Sequence, residues 1–223
     1  MLFYILRPIL TLWLWLFFPV RVHRKDRLIQ DGNTVVICNH MCKSDIFYVG
    51  YLFKGKTYYL AKKEWFNKKL RGWLFRQLGG IPVDREGADI QSVKSSLRVL
   101  KDNKRLCIFP EGTRNKNDTE IMPVHGGAGM LAFKTGAKII PLNIHARAKF
   151  MHKNDIYVGE PFDFSEFQGQ KLDAELNRKL SDIMYEKLCE TKAEHDKFLE
   201  EKAAAKADKK RAKKAEKSQS ETL

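Results

Sequence analysis

Hydrophobic and polar positions divide the chain into three stretches. Residues 1–20 (MLFYILRPILTLWLWLFFPV) are apolar except for Arg7, Thr11 and two prolines. As a helix they would be about 30 Å long, the thickness of a hydrocarbon core. Arg7 and Pro8 interrupt the run early, and the remainder to Val20 covers only about 20 Å at the same rise. Apolar residues go round the whole helix and form no single stripe, while Trp13 and Trp15 are of the type that gathers at the headgroup boundary. No small-residue cleavage site follows, and the basic cluster Arg21, His23, Arg24, Lys25 and Arg27 comes after the apolar run, the reverse of a cleaved signal peptide. By the positive-inside bias that cluster keeps the following domain on the cytoplasmic face of a cell membrane. Residues 1–25 are therefore expected to be membrane-associated, spanning or half-inserted, with a buried core helix as the alternative.

From residue 34 the pattern changes to short β-branched and apolar runs, at 34–38 (TVVIC), 57–60, 81–83, 105–109, 138–144 and 155–158. Helical spacing lies between them. Ile90, Val93, Leu97 and Leu100 mark a helix over 88–103, and a second covers 126–135, with Gly136 at its C′ position. Leu172, Leu176, Leu180, Ile183 and Leu188 form the stripe of a docking helix. Strands interleaved with helices predict an α/β domain over 26–198, built on a central mixed, partly parallel sheet flanked by helices. Between Leu199 and the final Leu223 alanine is the only apolar residue type. Residues 199–223 are thus a basic low-complexity tail, helical or disordered.

Charge narrows the partners. The 223 residues hold 41 Lys and Arg against 27 Asp and Glu, a net charge of +14. Residues 202–223 contribute eight basic and three acidic side chains to it. Such a balance suits nucleic acid, an anionic membrane surface or phosphorylated substrates. Basic residues of the α/β part are not interleaved with aromatics as a stacking platform, and no nucleic-acid motif appears, which argues against nucleic acid. The four cysteines, Cys38, Cys42, Cys107 and Cys189, form no CxxC pair and favour a reducing compartment.

Candidate chemistry sits where the first strand ends, in Asn39-His40-Met41-Cys42-Lys43-Ser44-Asp45. A separation of five residues puts His40 and Asp45 about 140° apart on a regular helix, so they meet only if His40 lies in the turn before the helix and Asp45 in its first turns. A carboxylate on one imidazole nitrogen fixes the tautomer and leaves the other nitrogen to take a proton. Asn39 is expected to hold the turn through backbone groups. Rival readings are a loop histidine beside an N-cap-like aspartate, a zinc site from Cys38, His40 and Cys42, and Cys42 as a covalent nucleophile. Two further strand ends supply arginines: Arg85 in GGIPVDR (79–85) and Arg114 in FPEGTR (109–114). Together they can grip a phosphate. Glu111 and Thr113 can orient them or bond a substrate hydroxyl, and Gly112 can offer its N–H to an oxyanion.

NHMCKSD, GGIPVDR, FPEGTR and IIPL, in that order, resemble the four motifs of the glycerolipid acyltransferases, the closest type being the small bacterial 1-acyl-sn-glycerol-3-phosphate acyltransferases. The resemblance covers about residues 33–162. It implies acyl transfer from acyl carrier protein or acyl-CoA to the free sn-2 hydroxyl of lysophosphatidate at an anionic membrane surface, giving phosphatidate, with no metal and no cofactor. His40 and Asp45 match the family's catalytic dyad, and Arg85 matches the arginine of its second motif. Glu111, Gly112 and Arg114 match the third motif, and Ile140 and Pro141 the fourth, which is linked to the acyl side of the site. One departure bears on the acceptor. Where the family often carries Phe-Lys-x-Gly, this chain has Val124-His125-Gly126-Gly127, replacing a fixed charge by imidazole. Other acceptors, glycerol 3-phosphate or a different lysolipid, stay open at this point, as does a non-enzymatic basic membrane- or nucleic-acid-binding protein.

Overall fold

The structure, a computed structural model, describes residues 2–84, 89–117 and 120–220. Its elements, in order, are α1 (Leu2–Phe17), β1 (Val20–His23), β2 (Thr34–Cys38), α2 (Asp45–Leu52), β3 (Thr57–Lys62), α3 (Lys69–Gln77), β4 (Gly80–Val83), α4 (Ile90–Lys101), β5 (Arg105–Ile108), α5 (Gly127–Thr135), β6 (Lys138–Ile144), β7 (Asn154–Val158) and α6 (Ala174–Ser220). The seven strands form one sheet in the order β1-β7-β6-β2-β5-β3-β4. Strands β6, β2, β5, β3 and β4 are mutually parallel; β7 runs antiparallel to β6, and β1 lies parallel to β7. The sheet is mixed, as the strand and helix pattern implies.

All five residues of β2 are buried, because helices cover both faces of the sheet. Val35 and Ile37 face a core shared with α4, α5 and α6, whereas Val36 and Cys38 face one shared with α1 and α2. Alternation along the strand thus feeds two layers. Asp89 caps α4 by accepting the Ser92 N–H at 2.9 Å. The buried face of that helix is Ser92, Ser96, Val99 and Leu100, and Ile90, expected on it, is 67% exposed. Helix α5 ends at Gly136, whose φ of 61° is the left-handed cap expected there.

Two elements differ from the sequence reading. Residues 20–23, grouped above with the membrane segment, are an edge strand of the sheet, in register with β7 from Val20 opposite Asn154. Helix α1 packs beside α2, with Leu14 buried in the α1/α2 core and Tyr4, Ile5, Ile9, Leu12 and Trp15 exposed. The polar interruption is explained by packing: Arg7 Nη2 donates to the Phe53 carbonyl oxygen at 2.7 Å, a cation at the C-terminus of α2. Among the described residues no helix is long and apolar enough to cross a membrane.

Helix α6 docks through Leu176, Leu180, Met184 and Leu188, then continues through residue 199 without a break; residues 200–212 are exposed. Its last buried anchor is His195, fully enclosed, with Asn143 Nδ2 donating to its Nδ1 at 2.9 Å. The rings of His23 and His145 stand 5.9 and 5.5 Å away. Burial pulls the His195 pKa down to about 4.

Candidate active site

β2 delivers residues 39–44 to the C-terminal edge of the parallel strands, where ligands collect in open α/β sheets. Asp45 opens α2 and is fully buried. Its Oδ2 accepts from His40 Nδ1 at 2.9 Å, Met41 N–H at 2.7 Å and Cys42 N–H at 2.8 Å. The carboxylate therefore shapes the loop as well as holding the imidazole. His40 Nδ1 is committed, and Nε2 remains for proton transfer. Phe109 supports the ring from one face, with centroids 4.1 Å apart and planes 23° from parallel.

Cys42 fits neither rival role proposed for it. Its thiol donates to Asp45 Oδ1 at 2.7 Å, and burial, followed by the neighbouring carboxylate, pushes its pKa up, the opposite of an activated nucleophile. Among the described residues no group of three His, Cys, Asp or Glu is arranged to hold a metal ion.

Asn39 reaches further than the turn expected of it. Its side chain makes two bonds to the backbone of Ile144, at the end of β6. Glu111 also differs from expectation. Only 1% exposed, it accepts the His40 backbone N–H at 3.2 Å through Oε1, and burial raises its pKa to about 7. A carboxyl so enclosed braces the loop that carries His40. The Gly112 N–H, expected to meet an oxyanion, donates to the Phe109 carbonyl oxygen at 3.1 Å and closes the turn. Gly112 needs to be glycine here: its φ is 68°, and a Cβ would sit 2.7 Å from His125 Cδ2. His125 therefore lies directly against the third motif.

Thr113 and Arg114 are exposed on that loop. Arg85 lies outside the described residues; Asp84, just before it, forms an ion pair with Lys63 at 3.6 Å. Sequence reasoning missed Arg147. Its guanidinium donates to the Met41 carbonyl oxygen at 3.3 Å and the Asn115 carbonyl oxygen at 2.8 Å, tying the His40 loop to the Arg114 loop. Asn115 adds a second tie, its N–H donating to the His40 carbonyl oxygen at 2.6 Å. Nothing local in the sequence signals either contact.

A cavity of about 390 Å³ opens beside Phe109, Gly112 and His125 and runs between the sheet, α4 and α5. Leu60, Val93, Ile108, Met130 and Leu131 give it a mainly apolar wall. The His40–Asp45 pair, the loop that carries Arg114 and the mouth of an apolar cavity thus lie at the same strand edge.

A family model described as Acyltransferase matches residues 19–145, more than half of the chain. The chain belongs to the acyltransferase family. The chain is 30% identical over 172 residues to the 1-acyl-sn-glycerol-3-phosphate acyltransferase of Streptococcus pneumoniae, a stretch covering 73% of this chain and 63% of that relative. With the Bacillus subtilis protein of the same name it shares 29% identity over 154 residues, 66% of this chain and 76% of the relative. The crystal structure of the 1-acyl-sn-glycerophosphate acyltransferase of Thermotoga maritima has the same fold, with a TM-score of 0.64, 22% identity, and coverage of 84% of this chain and 80% of that one. The chain spans a little under two thirds of the pneumococcal relative's length.

Proposed function

We propose that this protein is an acyltransferase that moves an acyl group from acyl-CoA or acyl carrier protein to the sn-2 hydroxyl of 1-acyl-sn-glycerol 3-phosphate, forming phosphatidate. The observation that carries the reading is the 2.9 Å bond from His40 Nδ1 to the buried Asp45, at the same strand edge as the apolar cavity. The names of the bacterial relatives support the acceptor. Arg114, with Arg85 from the second motif, binds the acceptor phosphate. His40 Nε2 takes the proton of the sn-2 hydroxyl as its oxygen attacks the thioester carbonyl. Asp45 stabilises the imidazolium that forms. The C–S bond then breaks, and the thiolate recovers the proton from His40. No acyl-enzyme is required. One acyl chain occupies the cavity beside Phe109, whose walls are chemically suited to it.

The same reading places the protein on the cytoplasmic face of a membrane. Support comes from the exposed apolar face of α1 and the net charge of +14. Basic side chains near anionic lipid contribute roughly 1 kcal/mol each, and the exposed stretch of α6 supplies several.

The test is acyl transfer by purified protein in lipid vesicles, wild type beside His40→Ala, with lysophosphatidate and glycerol 3-phosphate as alternative acceptors. Phosphatidate from lysophosphatidate, falling about 10²–10⁴-fold in the variant, supports the reading. Product from glycerol 3-phosphate alone would replace the acceptor, and equal rates in both proteins would remove His40 as the base.

A further inference from the structure

The connection between β6 and β7 ends in a turn that the chemistry above does not use. Residues 149–152 form a β-turn closed by the His152 N–H on the Lys149 carbonyl oxygen at 3.2 Å. Met151 occupies its third position with φ 59°, a left-handed conformation normally filled by glycine or asparagine. Phe150 and Met151 are 61% and 63% exposed. A large apolar pair at the tip of a turn, one member in an unfavourable backbone conformation, is an unusual choice for a surface that meets only water.

The turn is fastened to α1. The Met151 N–H donates to the Phe17 carbonyl oxygen at 2.7 Å, and the Phe150 ring stacks on Phe17 at 5.5 Å. Phe150 also meets Phe18 edge-on at 6.0 Å, and Phe18 lies 5.1 Å from Trp13. Phe150 and Met151 therefore extend the exposed apolar face of α1 past the end of the helix. Lys149, His152 and Lys153 surround the pair and are exposed. The neck of the same connection is anchored at the opposite end: Arg147 holds the carbonyl oxygens of Met41 and Asn115. One short segment thus joins the loop of His40 to this apolar tip.

We propose that Phe150 and Met151 are a second lipid-inserting element, entering an anionic bilayer beside α1 while Lys149 and Lys153 meet headgroup phosphates. The inference rests on the membrane-associated reading of the preceding section. An apolar tip ringed by cations matches the layered chemistry of a bilayer interface, apolar below and anionic above. Two attachment points, one on α1 and one at the end of β6, fix the tilt of the body and bring the loop of His40 to the lipid surface.

The test is flotation of the full-length protein with phosphatidylcholine vesicles containing roughly one third phosphatidylglycerol, wild type beside Phe150→Ser/Met151→Ser. Losing two inserted side chains is expected to weaken partitioning on the order of tenfold or more. Transfer between short-chain, water-soluble substrates without vesicles should be unchanged. Lys149→Glu/Lys153→Glu, at exposed positions that spare the fold, should weaken binding to anionic vesicles and leave binding to neutral ones unaltered. Wild-type flotation matched by both double variants would overturn the role of the turn while leaving attachment through α1 intact. Wild-type protein that does not float at all would overturn the membrane reading and this inference with it. A lipid-free dimer lost in the serine variant, with flotation unaffected, would assign the tip to a second copy of the chain.

Discussion

Asn39 and Ile144 bind each other twice. Asn39 Nδ2 donates to the Ile144 carbonyl oxygen at 3.0 Å, and the Ile144 N–H donates to Asn39 Oδ1 at 2.8 Å. One side chain thereby acts as a segment of backbone, splicing the loop of His40 to the end of β6. Asn39→Ala would leave a buried donor and a buried acceptor without partners. Unfolding in urea should show a loss of about 2 kcal/mol. Turnover should fall too, because the next residue is His40, the base in the proposed mechanism; full activity with reduced stability would separate the two effects.

Glu111 predicts an unusual pH dependence. Burial raises its pKa to about 7 from an ordinary carboxylate value near 4.5. Between these values the unfolded chain has already released the proton that the folded chain keeps, so this group's contribution to stability falls as pH rises from about 4.5 through 7. Glu111→Gln retains an oxygen for the His40 N–H and removes the titration. Melting temperatures followed from pH 5 to 8 should drop more steeply for wild type than for the variant. Parallel curves would show that Glu111 ionises normally.

His195 predicts the opposite slope at lower pH. Its pKa is about 4 in the fold, against about 6.5 for an unperturbed histidine, so the unfolded chain binds the proton first as pH falls. Stability from this group is complete above about 6.5 and is lost as pH drops towards 4, on the order of 3 kcal/mol. The groups facing it are His23 and His145, with Asp155 and Asp196 opposing their effect. His195→Gln should flatten the acid limb of a stability profile, at some cost at neutral pH. An unchanged acid limb would place the sensitivity elsewhere in the cluster.

Arg114 is exposed on a loop held at both ends, since Glu111 precedes it in the buried core and Asn115 follows it there. Arg114→Ala should raise the KM for the phosphorylated acceptor about 10–100-fold, the size of a lost charge-assisted contact, with a smaller change in kcat. Arg114→Lys should recover part of it, because one ammonium cannot reproduce a bidentate grip. A fall in kcat with KM unchanged would mean that the guanidinium acts on the transition state alone.

Local pattern was enough for much of this protein. The β-branched and apolar runs at 34–38, 105–109 and 138–144 announce strands of a partly parallel sheet, and Gly136 marks the end of α5, because strand patterning and helix caps are written in neighbouring residues. The spacing of His40 and Asp45 required a turn followed by a helix, and that is the geometry found. What the tertiary structure alone decided depends on partners distant in the chain. Val20–His23 is a strand only because β7, more than 130 positions later, offers it an edge. Arg7 is tolerated in an apolar helix because α2 ends beside it. That Glu111 is buried against the His40 N–H, and that Arg147 closes on Met41 and Asn115, shows only in the folded chain. A residue's type states which bonds it can make; its partners are set by which strand ends the sheet brings together, and hydrogen bonds across that edge leave no periodic trace in the sequence.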